Sequence, residues 1–457
     1  VSGGTGNLNG TGVTSMLFQD ILTNGKTYKV TFTVSDYNSL GNNDIINNNG
    51  VALYVLNSNG TFTFTFTHSD ANGTIYWRAR NGGVFSVDNV SVIEITDDTN
   101  LPRIDYSPYS GAGTCGHWLF EPQSTNLLTY SEDLTQGSLN RLLLTSNTNS
   151  SPDGTNTADK LIPNNTTSTY HYFAFSSLTI ATNNVYSVFL KKAEYEYALI
   201  SFETSGSSGS SDKALINLNN GTIEQSDTET KVEDFGNGWY RCSIKATSAR
   251  TSVVIYPLPS TSLGSFTGDN TSGIFAWGLQ LEQQSYPTSY IPTNGSTVTR
   301  LKDAAFGAGN SSLINSTEGV LYVEVAALAE QALTRYITLS NGASSNRIII
   351  YITDVGVIKF FVGVGGVTQA AKTVSGQTTT NFNKLAVSYK ENDIKFYLNG
   401  VKVHTDTSAS TFPANTLNVL NFAASNGTSS PFFGKTKCAA VFKEALTDAE
   451  LTCLTTI

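Results

Sequence analysis

The feature that most constrains the fold of this chain is a strict alternation of polar and apolar residues in short runs. Residues 61–67 read TFTFTFT, and residues 26–34 read KTYKVTFTV. A period of two places every second side chain on the same face of a β-strand. Turn residues such as Asn399 and Gly400 separate these runs, and Asn-Gly between alternating runs is a strong hairpin signal. The pattern predicts antiparallel β-sheets.

The spacing of the runs divides the 457 residues into three β units. We predict a first unit over residues 1–97, an irregular connector rich in Gly over 98–126, a second unit over 127–300 and a third over 301–457. Seven predicted strands in the second unit indicate a sandwich or jelly roll. Near the end, Thr447 and Glu450 have the spacing of a helix capping box. The predicted fold class is all-β, with tandem antiparallel β-sandwich or jelly-roll domains and one short C-terminal helix.

The charge composition argues against two classes of partner. Only 14% of the residues are charged, and the formal net charge is −9. No basic stripe is present to displace counterions from nucleic acid, and an acidic chain is not attracted to an anionic membrane surface. No segment approaches the roughly 20 apolar residues of a membrane-spanning helix. We therefore predict no nucleic-acid binding and no membrane insertion. The chain does not begin with Met, and we expect it to be a fragment or a processed form.

The four cysteines are too few for a disulfide framework at this length. Cys242 lies in an alternating strand and is predicted to be a buried free thiol. Cys438 and Cys453 flank the last strand and the final helix, which makes them a candidate disulfide pair whose geometry the sequence does not give. No Cys/His cluster has the spacing of a zinc site.

Catalytic residues are not evident in the sequence. Glycoside hydrolysis uses two carboxyl groups at a fixed separation, and acidic residues at i and i+2 on a strand could supply them. Three pairs have this spacing, but each falls in a predicted turn or helix cap: Glu194 with Glu196, Glu391 with Asp393, and Asp448 with Glu450. No nucleophile-elbow motif is present. We predict no catalytic residue and no enzyme; a lyase whose Tyr or His base is assembled from distant strands stays open.

Carbohydrate binding requires an aromatic surface for the apolar face of a sugar ring and polar groups for its hydroxyls. Tyr170 and Tyr172 lie on one side of a predicted strand, opposite Phe173 on the core side, and Tyr195 lies near a loop. These three tyrosines are the candidate sugar-binding residues. Cross-strand packing is the alternative interpretation of a tyrosine on a β surface. Three tryptophans inside alternating strands are predicted to be core: Trp77, Trp239 and Trp277.

Several motifs resemble known modules. Residues 26–36 (KTYKVTFTVSD) and 87–92 (VDNVSV) resemble a galactose-binding-like jelly roll without its first strands. Residues 121–133 (EPQSTNLLTYSED) are similar to a recurrent phage connector, although an Arg is more common in place of Ser124. Residues 238–244 (GWYRCSI) and 277–282 (WGLQLE) are similar to the module that usually follows it. Residues 382–387 (FNKLAV), 397–401 (YLNGV) and 445–451 (ALTDAEL) resemble a concanavalin-like, laminin-G-like lectin sandwich. The whole chain resembles modular tail-fibre-like proteins of bacteriophages and prophages.

The resemblance implies an extracellular, virion-associated protein of a tail fibre or virion surface. Its expected work is adhesion through host-surface glycans without catalysis, as a homotrimer in contact with other virion proteins. In some related jelly rolls an Asp at the start of the final strand helps to hold a structural calcium, so Asp88 and Asn89 are candidate Ca²⁺ ligands; a turn-capping Asp is the alternative. Two other functions stay open: a purely structural virion component, and a polysaccharide-degrading enzyme or its accessory binding region.

Overall fold

The computed structural model describes residues 6–47, 52–69, 71–95, 102–106, 116–168, 171–204, 212–329 and 333–457. These residues form antiparallel β-sheets, one 3-10 turn (Leu134–Gln136) and one α-helix (Asp448–Thr455). The predicted all-β fold class is therefore confirmed. The chain divides into two compact units, Val1–Leu101 and Pro102–Ile457. No helix in the described ranges has the length and apolar character needed to cross a membrane.

The first unit is a sandwich of two four-stranded sheets. Its strands are Gly6–Asn9 (β1), Ser15–Asp20 (β2), Thr27–Ser35 (β3), Asn42–Asn47 (β4), Ala52–Val55 (β5), Gly60–Thr67 (β6), Thr74–Arg80 (β7) and Val84–Ile95 (β8). One sheet has the order β1-β8-β3-β6, and the other has the order β2-β7-β4-β5. The alternation in β3 buries Tyr28, Val30, Phe32 and Val34 between the sheets. Their burial removes apolar side chains from water, which stabilises the unit.

The predicted irregular connector instead contributes strands. Arg103–Asp105 (β9) and His117–Phe120 (β10) extend a sheet of the last sandwich, and Ser124–Asn126 (β11) pairs with residues 298–300. Phe120 is 1% exposed because it packs into the last core. The interpretation of residues 117–120 and 124–126 as irregular is therefore wrong, since partners more than 150 residues away complete their hydrogen bonding.

The second sandwich packs two six-stranded sheets. After β11 its strands are Ser138–Asn140 (β12), Leu142–Asn149 (β13), Ala158–Pro163 (β14), Thr167–Ser168 (β15), Tyr172–Phe175 (β16), Val185–Lys192 (β17), Tyr197–Glu203 (β18), Lys213–Asn217 (β19), Thr222–Ser226 (β20), Thr230–Asp234 (β21), Trp239–Lys245 (β22), Ser252–Leu258 (β23), Phe266–Thr267 (β24), Ile274–Glu282 (β25) and Val298–Arg300 (β26). The sheet orders are β12-β16-β23-β18-β19-β20 and β13-β14-β25-β17-β22-β21.

The third sandwich packs a seven-stranded sheet on a five-stranded one. Its strands are Glu318–Ala327 (β27), Arg335–Ser340 (β28), Arg347–Asp354 (β29), Val357–Val364 (β30), Val367–Val374 (β31), Asn383–Lys390 (β32), Ile394–Leu398 (β33), Val401–Asp406 (β34), Val419–Asn421 (β35) and Gly434–Phe442 (β36), followed by the helix Asp448–Thr455 (α1). The sheet orders are β34-β33-β32-β27-β36-β10-β9 and β31-β30-β29-β28-β35. The predicted capping box of Thr447 and Glu450 begins α1.

The predicted core residues can be checked directly. Trp77, Trp239 and Trp277 are 2%, 2% and 1% exposed, and Cys242 is a fully buried free thiol. These four predictions are confirmed.

The candidate disulfide between Cys438 and Cys453 is not formed, and both thiols are free. Cys438 lies on β36 and packs against the apolar cluster that α1 covers. Helical geometry turns Leu451 and Thr455 inward and leaves Cys453 exposed on the opposite side. The pairing prediction is therefore corrected, because the two side chains belong to different environments.

Thiol labelling of the native chain should discriminate between these cysteines. Cys453 should react with iodoacetamide and Cys242 should not, since burial raises the pKa of the Cys242 thiol well above its usual range and only the thiolate reacts. Peptide mass spectrometry before and after denaturation measures both. Native alkylation of Cys242, or a peptide linking Cys438 to Cys453, would contradict this assignment.

Candidate functional site

Two of the predicted sugar-binding tyrosines, Tyr172 and Tyr195, lie in or near one sheet of the second sandwich. Tyr170 lies outside the described residues. Tyr172 lies in β16 on the outer face of the sheet, whereas Phe173 is fully buried in the core, so their predicted faces are correct. The Tyr172 ring centroid is 5.3 Å from that of Tyr256, and the Tyr256 hydroxyl donates a hydrogen bond of 2.6 Å to Glu203.

The outer face around Tyr172 is an apolar cluster. Tyr197 and Phe266 pack against it, and Tyr195 reaches its edge through Phe266, with ring centroids 6.2 Å apart. Tyr256 is only 6% exposed. This burial favours cross-strand packing as the role of Tyr172, and the sugar-binding role of Tyr172 and Tyr195 stays a prediction.

A second aromatic group lies on the outer face of the five-stranded sheet of the third sandwich. Tyr336 of β28 faces Tyr351 of β29, which faces Lys359 of β30. The two tyrosine centroids are 5.0 Å apart with the rings at 75°. Arg347 and Phe361 continue the group along β29 and β30. We call these five residues the Tyr336/Tyr351 face; each is half-buried.

The β alternation explains why these side chains face outward together. In β29, Ile348, Ile350 and Ile352 belong to the core, so Arg347 and Tyr351 must point to the other side. The same rule applies to β30, where Ile358, Phe360 and Val362 are core. The antiparallel register then aligns the outward residues of neighbouring strands.

Two cations border the aromatic rings of this face. The Lys359 Nζ atom lies 6.0 Å from the Tyr351 ring centroid, and the Arg347 Cζ atom lies 5.3 Å from the Phe361 centroid. Burial raises the pKa of Tyr351, so its hydroxyl stays protonated near neutral pH and can donate or accept a hydrogen bond. The Arg347 Nε atom is buried without a hydrogen-bond acceptor among the described residues. The face therefore offers apolar rings, hydroxyls and positive charge within one patch.

The residues of this face, and one further exposed aromatic residue, are not evident as candidates in the sequence. The alternation in 347–353 could have placed Arg347 and Tyr351 on one side, but it could not give their partners on β28 and β30. The fourth tryptophan, Trp118 of β10, is 45% exposed and lies opposite Ile104, which is 57% exposed.

The three acidic pairs have local partners. Glu194, Glu196 and Asp393 lie 2.7, 2.6 and 2.9 Å from Lys160, Lys192 and Lys395, respectively. Glu391 accepts a hydrogen bond of 3.0 Å from the Thr411 N–H, and Glu450 caps α1. The hydrogen bond from Lys402 is the main cause that lowers the pKa of Asp448 to about 2. A general acid needs a raised pKa, so Asp448 is unsuited to donate a proton at neutral pH.

The candidate calcium ligands Asp88 and Asn89 lie at a bulge in β8. The register of β3 with β8 shifts there, and Asn89 has a φ of 52°. The Asn89 N–H donates to the Asp88 carboxylate at 2.6 Å. Neither these residues nor any other described ones form a group of three or more His, Cys, Asp or Glu side chains placed to hold a metal ion. The bulge gives Asp88 and Asn89 a structural role in the strand. Their assignment as calcium ligands stays a prediction.

Comparison with known proteins gives similarities for parts of this chain. Among solved structures, the chain is similar to the CBM40 of the Ruminococcus gnavus IT-sialidase, with 18% identity over 33% of this chain and 94% of that chain, at a TM-score of 0.26. It is also similar to domains LG4-5 of the mouse laminin alpha1 chain, with 11% identity over 76% of this chain and 96% of that chain, at a TM-score of 0.22. No curated protein sequence matches the chain. Residues 321–452, which carry the Tyr336/Tyr351 face, match the family model of the concanavalin A-like lectin/glucanases superfamily.

Proposed function

We propose that this chain is an extracellular adhesion protein that binds glycans without cleaving them, through the Tyr336/Tyr351 face. The observation that carries the proposal is the group of two tyrosines, one phenylalanine and two cations on one outer sheet face. Aromatic rings can stack on the apolar side of a sugar, and hydroxyls and cations can bind its polar substituents. The match of residues 321–452 to a lectin and glucanase superfamily supports the glycan-binding part of this proposal.

The cations favour one class of glycan. Guanidinium groups form strong hydrogen bonds with carboxylate and sulfate-like anions, and the half-buried Arg347 guanidinium lies beside the Phe361 ring on this face. We therefore expect a preference for glycans that carry uronic acids, sialic acids or sulfate esters. Their binding should weaken as salt concentration rises, because ions screen charges at the surface.

The finer assignment is a virion protein of the tail fibre or surface, with a non-catalytic role. The phage-like motifs at residues 121–133, 238–244 and 277–282 support it. Several copies on one particle could bind several glycans at once, and these weak contacts together would give a high overall affinity, or avidity. Antibodies against the chain should label such particles and block their adsorption to host cells; adsorption unaffected by antibodies that do label particles would favour a purely structural component.

The test of the proposed function is a glycan array probed with the whole chain, with and without EDTA. Bound polysaccharides are then incubated with the chain and examined for new reducing ends and unsaturated products. Binding without products is expected, with neutral analogues of each acidic hit bound more weakly. Loss of binding in EDTA would support calcium at Asp88. Release of shortened sugars would replace this proposal with the degrading-enzyme alternative, and absence of binding would favour the structural one.

A further inference from the structure

The first unit has an unprotected sheet edge. Strand β6 pairs with β3 on one side, and no strand among the described residues pairs with its other side. Edge strands usually carry charges, proline or a bulge that prevent pairing with another chain. The residues of β6, GTFTFTFT, include no charge and no proline, and β6 pairs with β3 without a register shift. We propose that two copies of this chain associate by antiparallel pairing of their β6 strands. Pairing of β6 with β6 closes after two copies, so this proposal replaces the homotrimer that the resemblance implies.

The sequence of β6 is self-complementary under a two-fold axis. Residues 61–67 read the same in both directions, so antiparallel pairing centred on Phe64 aligns identical residue types. Thr61 would lie opposite Thr67 of the second copy, and Thr63 opposite Thr65. A two-fold axis perpendicular to the sheet keeps each row on its own face. The threonine row therefore meets threonines and the phenylalanine row meets phenylalanines.

Strand β3 already shows the contacts that a second β6 would make on the threonine side. Thr27, Thr31 and Thr33 of β3 each hydrogen-bond through the side chain to a threonine of β6, at oxygen–oxygen distances of 2.9, 3.0 and 3.1 Å. Cross-strand Thr–Thr pairs of this kind stabilise antiparallel sheets. The second copy would repeat this row of threonine pairs on the free side of β6.

The phenylalanine side supplies the apolar surface for association. Phe62, Phe64 and Phe66 are half-buried, in contrast to the fully buried Val30 and Phe32 of neighbouring β3. Tyr54 of β5 stacks on Phe64 with centroids 5.2 Å apart. This aromatic row lies at the open edge of the sandwich, and the same row of a second copy would cover it and remove it from water.

The test measures the mass of the whole chain by light scattering after size exclusion, over a concentration series. We expect twice 49.0 kDa for the unmodified chain, which is the mass of a dimer. The Thr63→Glu/Thr65→Glu variant should have the monomer mass of 49.0 kDa, because the proposed register places the carboxylate at position 63 of one copy opposite the carboxylate at position 65 of the other. The introduced carboxylate at position 65 faces Lys29 within the same sheet, which favours retention of the fold. Circular dichroism melting checks this.

A charge-reversal mixture provides the matched control. Thr63→Lys/Thr65→Lys should also give 49.0 kDa alone, whereas an equimolar mixture with the glutamate variant should restore a dimer with one copy of each in native mass spectrometry. A folding defect could not produce this rescue. A monomeric or three-chain unmodified protein, a dimer that persists in both variants, or a mixture that stays monomeric would overturn the proposal.

Discussion

Replacing Glu282 with Ala should lower the free energy of unfolding by roughly 3–5 kcal/mol, one of the largest single-residue effects expected in this chain. Glu282 is fully buried. Its carboxylate accepts hydrogen bonds from the Ser124 and Thr288 hydroxyls, both at 2.5 Å, from the Gln280 amide at 2.7 Å and from the Thr288 N–H at 3.0 Å. Removing the carboxylate leaves these buried donors without their acceptor. Urea unfolding followed by tryptophan fluorescence measures the change.

Glu229→Ala is the matched control, because it also removes a glutamate from the second sandwich. Glu229 pairs with Lys245 at 2.9 Å, but its side chain is 70% exposed. Exposed pairs contribute about 0–1 kcal/mol, so this variant should unfold almost as the unmodified chain does. Equal stability of the two variants would show that the Glu282 network does not hold β25 to the strand at residues 124–126.

Replacing Tyr336 and Tyr351 together with Ala should weaken glycan binding by on the order of 10- to 100-fold in Kd. The substitution removes both rings of the proposed platform and the hydroxyls that they carry. The core residues Ile348, Ile350 and Ile352 lie on the opposite side of β29, so the sandwich should remain folded. Isothermal titration with the strongest acidic glycan from the array measures the loss.

Two controls separate this face from the other aromatic groups. Tyr172→Ala changes the apolar cluster of the second sandwich, and Trp118→Ala changes the exposed residue of β10. Both variants should bind the glycan with nearly unchanged affinity. Full affinity in the Tyr336→Ala/Tyr351→Ala variant, combined with loss in either control, would move the binding site away from the proposed face.

Much of the local structure could be predicted from period-two alternation alone. The alternation placed Trp77, Trp239 and Trp277 in the core. It also placed Tyr172 opposite Phe173, and the spacing of Thr447 and Glu450 gave the start of α1. These features depend on neighbours within a few residues. The sequence therefore predicts features that depend on a single strand or helix end, such as which side chains share a face.

Pairing between distant strands could not be predicted in the same way. The strand at 117–120 looks irregular because its hydrogen-bonding partner lies at 434–436. The Tyr336/Tyr351 face depends on the register of three strands, and the separation of Cys438 from Cys453 depends on how α1 rotates over its sheet. In each case the deciding contact is a tertiary one.

Hydrogen–deuterium exchange of the whole chain, with and without its strongest array ligand, tests the central claim most directly. We predict ligand-dependent protection of the backbone in β28, β29 and β30, and unchanged exchange in β16 and β23 of the second sandwich. Protection confined to β16 and β23, or no protection at a ligand concentration that saturates binding, would contradict the assignment of glycan binding to the Tyr336/Tyr351 face.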